Sequence, residues 1–196
     1  LIGRDIIPTS DIPTTSLPIY VSGGEQESIT LKTVNGQKQY PVAEKSWEAI
    51  EEERKKFAGA KGEILLKRNC RLLMENDLEI IDTPGVNSQI RGDLSMAEQA
   101  LGVCDCAILP MAAIAAFSES EKLFLEERIL MKKVPRIMVV LTKLDLVEET
   151  QRLSVVESVQ RKLEAVNAEI PLYLSEKNMV EDWEERSGTE AIQKQI

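Results

Sequence analysis

Residues 136–145 read Arg-Ile-Met-Val-Val-Leu-Thr-Lys-Leu-Asp, a short apolar run ending in a threonine, a lysine and, one residue later, an acid. The β-branched and aliphatic run predicts a strand over 136–142, with Lys143 and Asp145 just past its end. In a parallel sheet, ligands gather at the carboxyl ends of strands, so Asp145 stands where a ligand would. A carboxylate there can accept two hydrogen bonds, from a ring N–H and an exocyclic amine. Guanine offers that pair and adenine does not, and the wrong base leaves the acid unpaired. The aliphatic stem of Lys143 can lie along the base while Thr142 fixes the neighbouring loop. Taken alone, the same residues also suit a polar strand-to-helix turn.

A second acid closes a second apolar run, Leu78-Glu-Ile-Ile-Asp-Thr-Pro-Gly85. An acid at a strand end can hold a magnesium ion through water, and a glycine allows a backbone N–H to approach a terminal phosphate. The plain alternative is a proline–glycine turn closing a strand. Asp82 and Asp145 are 63 residues apart. That interval holds a helix around 93–102, a strand at 104–110, a helix at 119–132 and the strand at 136–142, the content needed to step from one loop to the other along one sheet edge.

Working outward, Pro8, Pro13 and Pro18 make residues 4–15 an irregular loop. The opening Leu-Ile-Gly resembles the last turn of a helix closed by glycine, so the sequence is expected to begin inside an element. Short strands are expected at 19–22, 28–34 and 37–42, the last two joined by a hairpin at Asn35-Gly36. Trp47, Ile50 and Phe57 recur on one face of a helix over 46–60, with Glu51/Lys55 and Glu52/Lys56 on the other. Strands at 63–74 and 77–82 flank the turn at 75–77. Ser118 and Glu121 have the spacing of a capping box opening the helix at 119–132. A helix at 147–166, a strand at 171–175 and a final helix complete the chain. Strands alternating with helices predict a three-layer α/β fold with a mostly parallel central sheet and helices on both faces.

The chain has 196 residues, 43% hydrophobic and 29% charged, which suits one domain with a real core. A net charge of −9 argues against a nucleic-acid partner, because a polyanion requires a basic footprint. Cys70, Cys104 and Cys106 form no paired framework, and Cys104 and Cys106, without partner ligands, read as buried structural thiols of a strand. No basic-then-apolar leader is present, which points to a cytoplasmic protein. The apolar stretch from Cys104 to Phe117 is too short to span a bilayer and contains Asp105 and Pro110.

The opening Leu-Ile-Gly-Arg-Asp-Ile-Ile-Pro-Thr-Ser-Asp-Ile-Pro-Thr-Thr15 resembles the end of the first helix and switch I of dynamin-family GTPases. The resemblance extends through Asp82-Thr-Pro-Gly-Val-Asn87, Ala115-Ala-Phe-Ser-Glu-Ser-Glu121 and Thr142-Lys-Leu-Asp145. It continues to Ser187-Gly-Thr-Glu-Ala-Ile192, similar to the opening of the domain's last helix in bacterial members. Val86 stands where small GTPases carry a glutamine, a departure that dynamin-like enzymes share.

That likeness implies one GTPase domain of the P-loop NTPase fold over 1–196, N-terminally truncated, with 187–196 starting the helix that leads out of it. Thr15, with Thr14 in reserve, would be the catalytic threonine that binds Mg2+ and holds the attacking water. Asp82 would serve the metal and Gly85 would sense the terminal phosphate. Thr142, Lys143 and Asp145 would select the base of GTP or GDP. Ser175 would complete the base site, although Ser175-Glu176-Lys177 replaces the commoner Ser-Ala-Lys. No Gly-x-x-x-x-Gly-Lys-Ser/Thr phosphate loop occurs in the 196 residues, so this chain alone is expected to be inactive. The family further implies a homodimer through the nucleotide face and peripheral membrane contact through regions outside this chain, in the service of membrane remodelling. Alternatives are a nucleotide-free interaction module of the same fold and an Era-like GTPase.

Overall fold

The computed structural model describes residues 17–56, 62–83 and 97–175. The proline-punctuated loop, Thr14, Thr15, Gly85, the second half of the Ser-Glu-Lys element and the final helix lie outside them. Contacts divide the chain into two compact units, one ending at Ala100 and one beginning at Leu101.

The N-terminal unit contains β1 (Ile19–Gly23), β2 (Ser28–Thr33), β3 (Gly36–Tyr40), α1 (Glu44–Lys56), β4 (Gly62–Arg68), α2 (Arg71–Glu75) and β5 (Glu79–Asp82). The strands form a mixed sheet in the order β3-β2-β4-β1-β5, parallel only where β1 meets β4. Alternation along the strands turns Ile19, Val21, Ile29, Leu31, Ile64 and Leu66 to one face. There they form a core with Tyr40, Ile50 of α1 and Leu73 of α2. Each such aliphatic side chain contributes about 1.5–3 kcal/mol when fully buried.

Two local expectations shift. The hairpin register pairs Thr33 with Gly36, so Val34-Asn35 form the two-residue loop and the positive φ of 132° falls on Gly36. The Thr33 hydroxyl sets this register, accepting from the Asn35 amide and donating to the Gly36 carbonyl, both at 3.3 Å. The strand expected over 63–74 stops at Arg68, and Arg71–Glu75 is a helical turn. Good helix formers and an Arg71–Glu75 ion pair of 2.8 Å favour that turn, which drives Leu73 into the core. The turn packs so tightly on the end of β1 that a Cβ on Gly23 would lie 2.7–2.9 Å from Met74.

The C-terminal unit contains β6 (Cys106–Ala112), a 3-10 turn at Ala113–Ala115, α3 (Glu119–Phe124) running into a π-helical Leu125–Leu130, β7 (Arg136–Thr142), a 3-10 turn at Leu144–Leu146, α4 (Glu149–Asn167) and β8 (Leu172–Leu174). Residues 97–101 are helical, within the helix expected at 93–102. The three strands are parallel in the order β6-β7-β8, with helical crossovers between them. Met138 to Leu141 are buried in succession, as in a strand covered on both faces. The capping box is present: the Glu121 amide donates to the Ser118 hydroxyl at 3.4 Å, and the Ser118 amide donates to the Glu121 carboxylate at 2.9 Å.

Cys104 precedes β6 rather than lying within it. Burial pushes the Cys104 and Cys106 thiols up from their ordinary value, as for unreactive cysteines. Among the described residues no group of three or more side chains could hold a metal, and no helix is long and apolar enough to cross a membrane.

Candidate functional site

The carboxyl ends of β7 and β8 bring together Thr142, Lys143, Asp145 and Ser175. Parallel pairing sets Ala112 beside Thr142 and Leu141 beside Leu174, so all three strands end at one edge of the C-terminal unit. The Thr142 hydroxyl donates to the Met111 carbonyl at 3.2 Å, tying the end of β7 to the end of β6. On the other side, the Ser175 amide donates to the Leu141 carbonyl at 2.9 Å.

Lys143 is exposed and adopts the left-handed conformation, with φ 58° and ψ 32°. For a residue with a Cβ this costs on the order of 1–2 kcal/mol. The cost is borne by the turn that follows: the Leu146 amide donates to the Lys143 carbonyl and the Val147 amide to the Leu144 carbonyl, both at 3.1 Å. Leu144, only 2% exposed, anchors the turn in the core.

Between these anchors sits Asp145. Its residue as a whole is half-buried, yet its Oδ1 is shielded from solvent and has no hydrogen-bond partner among the described residues. A shielded carboxylate oxygen without a donor is costly unless a ligand supplies one. An acid held in this way can accept a polarised N–H aimed at it and reject a group that brings none.

Asp82 belongs to the N-terminal unit and is described there alone. It ends β5, an edge strand, and stands opposite Ile19 in an antiparallel register. The chain therefore enters β1 at the same end of the sheet where Asp82 leaves β5. No ion pair reaches Asp82 among the described residues, and burial pushes its carboxyl above the usual carboxylate range. Such a group gains from an added cation.

No residue pattern marks the acceptor role of Met111, the Ala113–Ala115 turn lying against Leu144–Leu146, or the left-handed backbone at Phe117. The alanine-rich stretch before Phe117 carries no turn residues; only the capping box marks where that loop ends.

The model of the Dynamin family matches residues 1–144. A search of curated proteins returned no match. Among solved structures, two chains of an oligomerised bacterial dynamin pair, described as a mechanism for long-range sensing and tethering of membranes, share the fold. One superposes with a TM-score of 0.72 at 18% identity, over 98% of this chain and 34% of its own length. The other gives a TM-score of 0.71 at 16% identity, over 99% of this chain and 40% of its own length. This chain therefore spans well under half of either. The family match covers β5 with Asp82 and all of β7 and ends at Leu144, within the Thr142–Asp145 motif, and the architecture is that of a P-loop GTPase domain: the chain belongs to the dynamin family.

Proposed function

We propose that the protein carrying this domain binds GTP with Mg2+, hydrolyses it to GDP and phosphate, and uses the cycle in membrane remodelling. The observation that supports this best is the shielded Oδ1 of Asp145, without a partner among the described residues, in a turn fixed by Thr142, Leu144 and Ser175. Guanine supplies the two donors that a carboxylate in this place requires, and adenine lacks them. The Lys143 stem lies along the base face, and Ser175 borders it.

Asp82 fits a magnesium ion held through water, because its carboxyl is desolvated and meets no cation among the described residues. The metal would offset charge developing on the phosphates during transfer. Thr15, or Thr14, orients the attacking water, and the Gly85 amide senses the terminal phosphate. These assignments rest on the sequence likeness, with residues 1–196 read as one GTPase domain and 187–196 as the start of its exit helix. The phosphate-binding loop is contributed by chain outside these 196 residues. The tethering of membranes described for the bacterial dynamin pair supports a membrane role with peripheral contact, while a cytoplasmic location and a homodimer through the nucleotide face rest on the sequence likeness alone.

The test is hydrolysis of GTP and ATP by the full-length protein with and without Mg2+, alongside Asp145→Asn. Magnesium-dependent, guanine-selective turnover is expected. An asparagine at 145 offers an N–H₂ donor that suits the 2-oxo group of xanthine, so preference should move toward xanthosine triphosphate. Equal turnover of GTP and ATP would remove the base-site reading.

A further inference from the structure

Two residues with side chains adopt left-handed backbone on the two loops that meet at the base turn. Lys143 is one, with φ 58°; the other is Phe117, with φ 59°. Only two other non-glycine residues among those described, Asp77 and Lys133, have positive φ. Lys143 has an evident role, since it starts the turn that carries Asp145. Phe117 lies in the Ala115–Glu121 stretch that shares the family resemblance but has been given no role there, and a bulky aromatic residue is among the least suited to this conformation. Strain of this kind persists only where the surroundings over-determine it, and it concentrates at functional sites.

The surroundings of Phe117 do over-determine it. Its ring is buried, at 6% exposure. On its C-terminal side Ser118 is fixed by the capping box, its amide bonded to Glu121 at 2.9 Å and its hydroxyl to the same carboxylate at 3.0 Å. On its N-terminal side the chain is fixed by β6, where the Met111 carbonyl accepts from Thr142, and by Ala113, itself buried. The Ala113–Ala115 turn between these fixed points lies against Leu144–Leu146. The path from Met111 to Ser118 is thus a short strap, pinned at both ends, along the turn that holds Asp145.

We propose that Phe117 is a positioning residue for base recognition: its buried ring and left-handed backbone hold the Ala113–Ala115 strap against the Leu144–Leu146 turn, which keeps the Asp145 carboxylate aimed at guanine. Phe117 touches no nucleotide in this account and acts through the turn. The proposal rests on the reading of Asp145 as the guanine-specific acid. A small misplacement of an aimed group is enough to degrade recognition, which makes discrimination between bases the sensitive readout.

The experiment compares kcat/KM for GTP and ATP in the full-length protein and in Phe117→Gly and Phe117→Leu. Glycine removes the ring and relieves the backbone strain, freeing the strap. Leucine keeps an apolar anchor and the strain. Phe117→Gly should raise KM for GTP about tenfold and leave that for ATP within about twofold, so that guanine preference falls. Phe117→Leu should lose about threefold in preference with a thermal midpoint close to that of the parent, and it carries the test if the glycine variant does not fold. A lowered midpoint with an unchanged GTP-to-ATP ratio would mean that Phe117 is only a core residue, and the proposal fails. Asp145→Asn separates the two readings: if it leaves base preference unaltered, the assignment of Asp145 is what has failed.

Discussion

Asp145 and Asp82 are the same side chain at the end of the same kind of element, and both are half-buried, yet they differ in what holds them. Asp145 sits in a turn held by a side-chain bond to β6, a backbone bond to β8's exit, two internal amides and the buried Leu144. Among the described residues its Oδ1 is shielded and has no hydrogen-bond partner, which leaves a directional acceptor in place before a ligand arrives. Asp82 closes an edge strand, and burial alone raises its carboxyl above the usual range. Direction matters most for the first, and charge for the second. On the proposed assignments, one residue type reads a base in one place and offsets a cation in the other, according to whether its surroundings fix hydrogen-bond geometry or merely remove water.

Replacing each acid by asparagine is the strongest way to break this contrast. Asp145→Asn should lower guanine-nucleotide affinity by about 1000-fold, because a site built to accept two hydrogen bonds is left with a donor facing donors. Fluorescent-nucleotide titration of the full-length protein measures it, and a loss below about threefold would mean that Asp145 does not read the base. Asp82→Asn should cut magnesium-dependent turnover by about 100-fold. It should also stabilise the fold at neutral pH. The folded-state pKa of Asp82 lies above its unfolded value, so the favourable contribution of this group is complete below the unfolded pKa and is lost as pH rises through the folded one. At pH 7 the ionised, desolvated carboxylate is therefore a cost that asparagine removes. A thermal midpoint higher by about 2 °C is expected at pH 7, shrinking as pH falls into the carboxylate range. Lower midpoint and lower turnover together would show that Asp82 has a structural partner instead.

A third substitution asks whether the stability of one region can change without the chemistry of the other. Alanine at Gly23 would place a Cβ within 2.7–2.9 Å of the Cγ, N and Cα of Met74, and two of those atoms belong to the backbone of α2. Overpacking of this kind costs about 2 kcal/mol, a midpoint lower by several degrees. The GTP-to-ATP preference proposed for the C-terminal unit should not follow; if it falls in step, the assignment of base selection to that unit alone fails.

The two acids were legible from sequence for different reasons than the geometry around them. A β-branched run ending in Thr-Lys-Leu-Asp predicts β7 to the residue, because burial on both faces leaves little room for another periodicity. The Ser118–Glu121 box could be read because both partners are local. Where a strand gave way to the α2 turn, the apolar spacing of 63–74 fits either period, and the contact that decides, Leu73 in the core, is distant in sequence. The left-handed residues Lys143 and Phe117 were not legible for the same reason: neither is glycine or asparagine, and each is held by long-range packing. Thr15 and Gly85, known from resemblance, lie outside the described residues and remain proposals.

The smallest test concerns the latch that makes Asp145 rigid. Valine at Thr142 keeps the β-branched shape on β7 and deletes the hydroxyl that donates to the Met111 carbonyl across 3.2 Å. The net worth of such a bond is about 1 kcal/mol, which corresponds to about a fivefold loss of guanine-nucleotide affinity if it is spent on holding the turn. The loss should be larger for guanine than for adenine nucleotides, since a loosened turn weakens directional acceptance more than contact with the phosphates. Titration of both nucleotides against the variant measures the difference. An affinity within twofold of the parent would mean that Leu144 and the Ser175 amide hold the turn without the hydroxyl, so that the rigidity separating Asp145 from Asp82 comes from packing and backbone pairing rather than from Thr142.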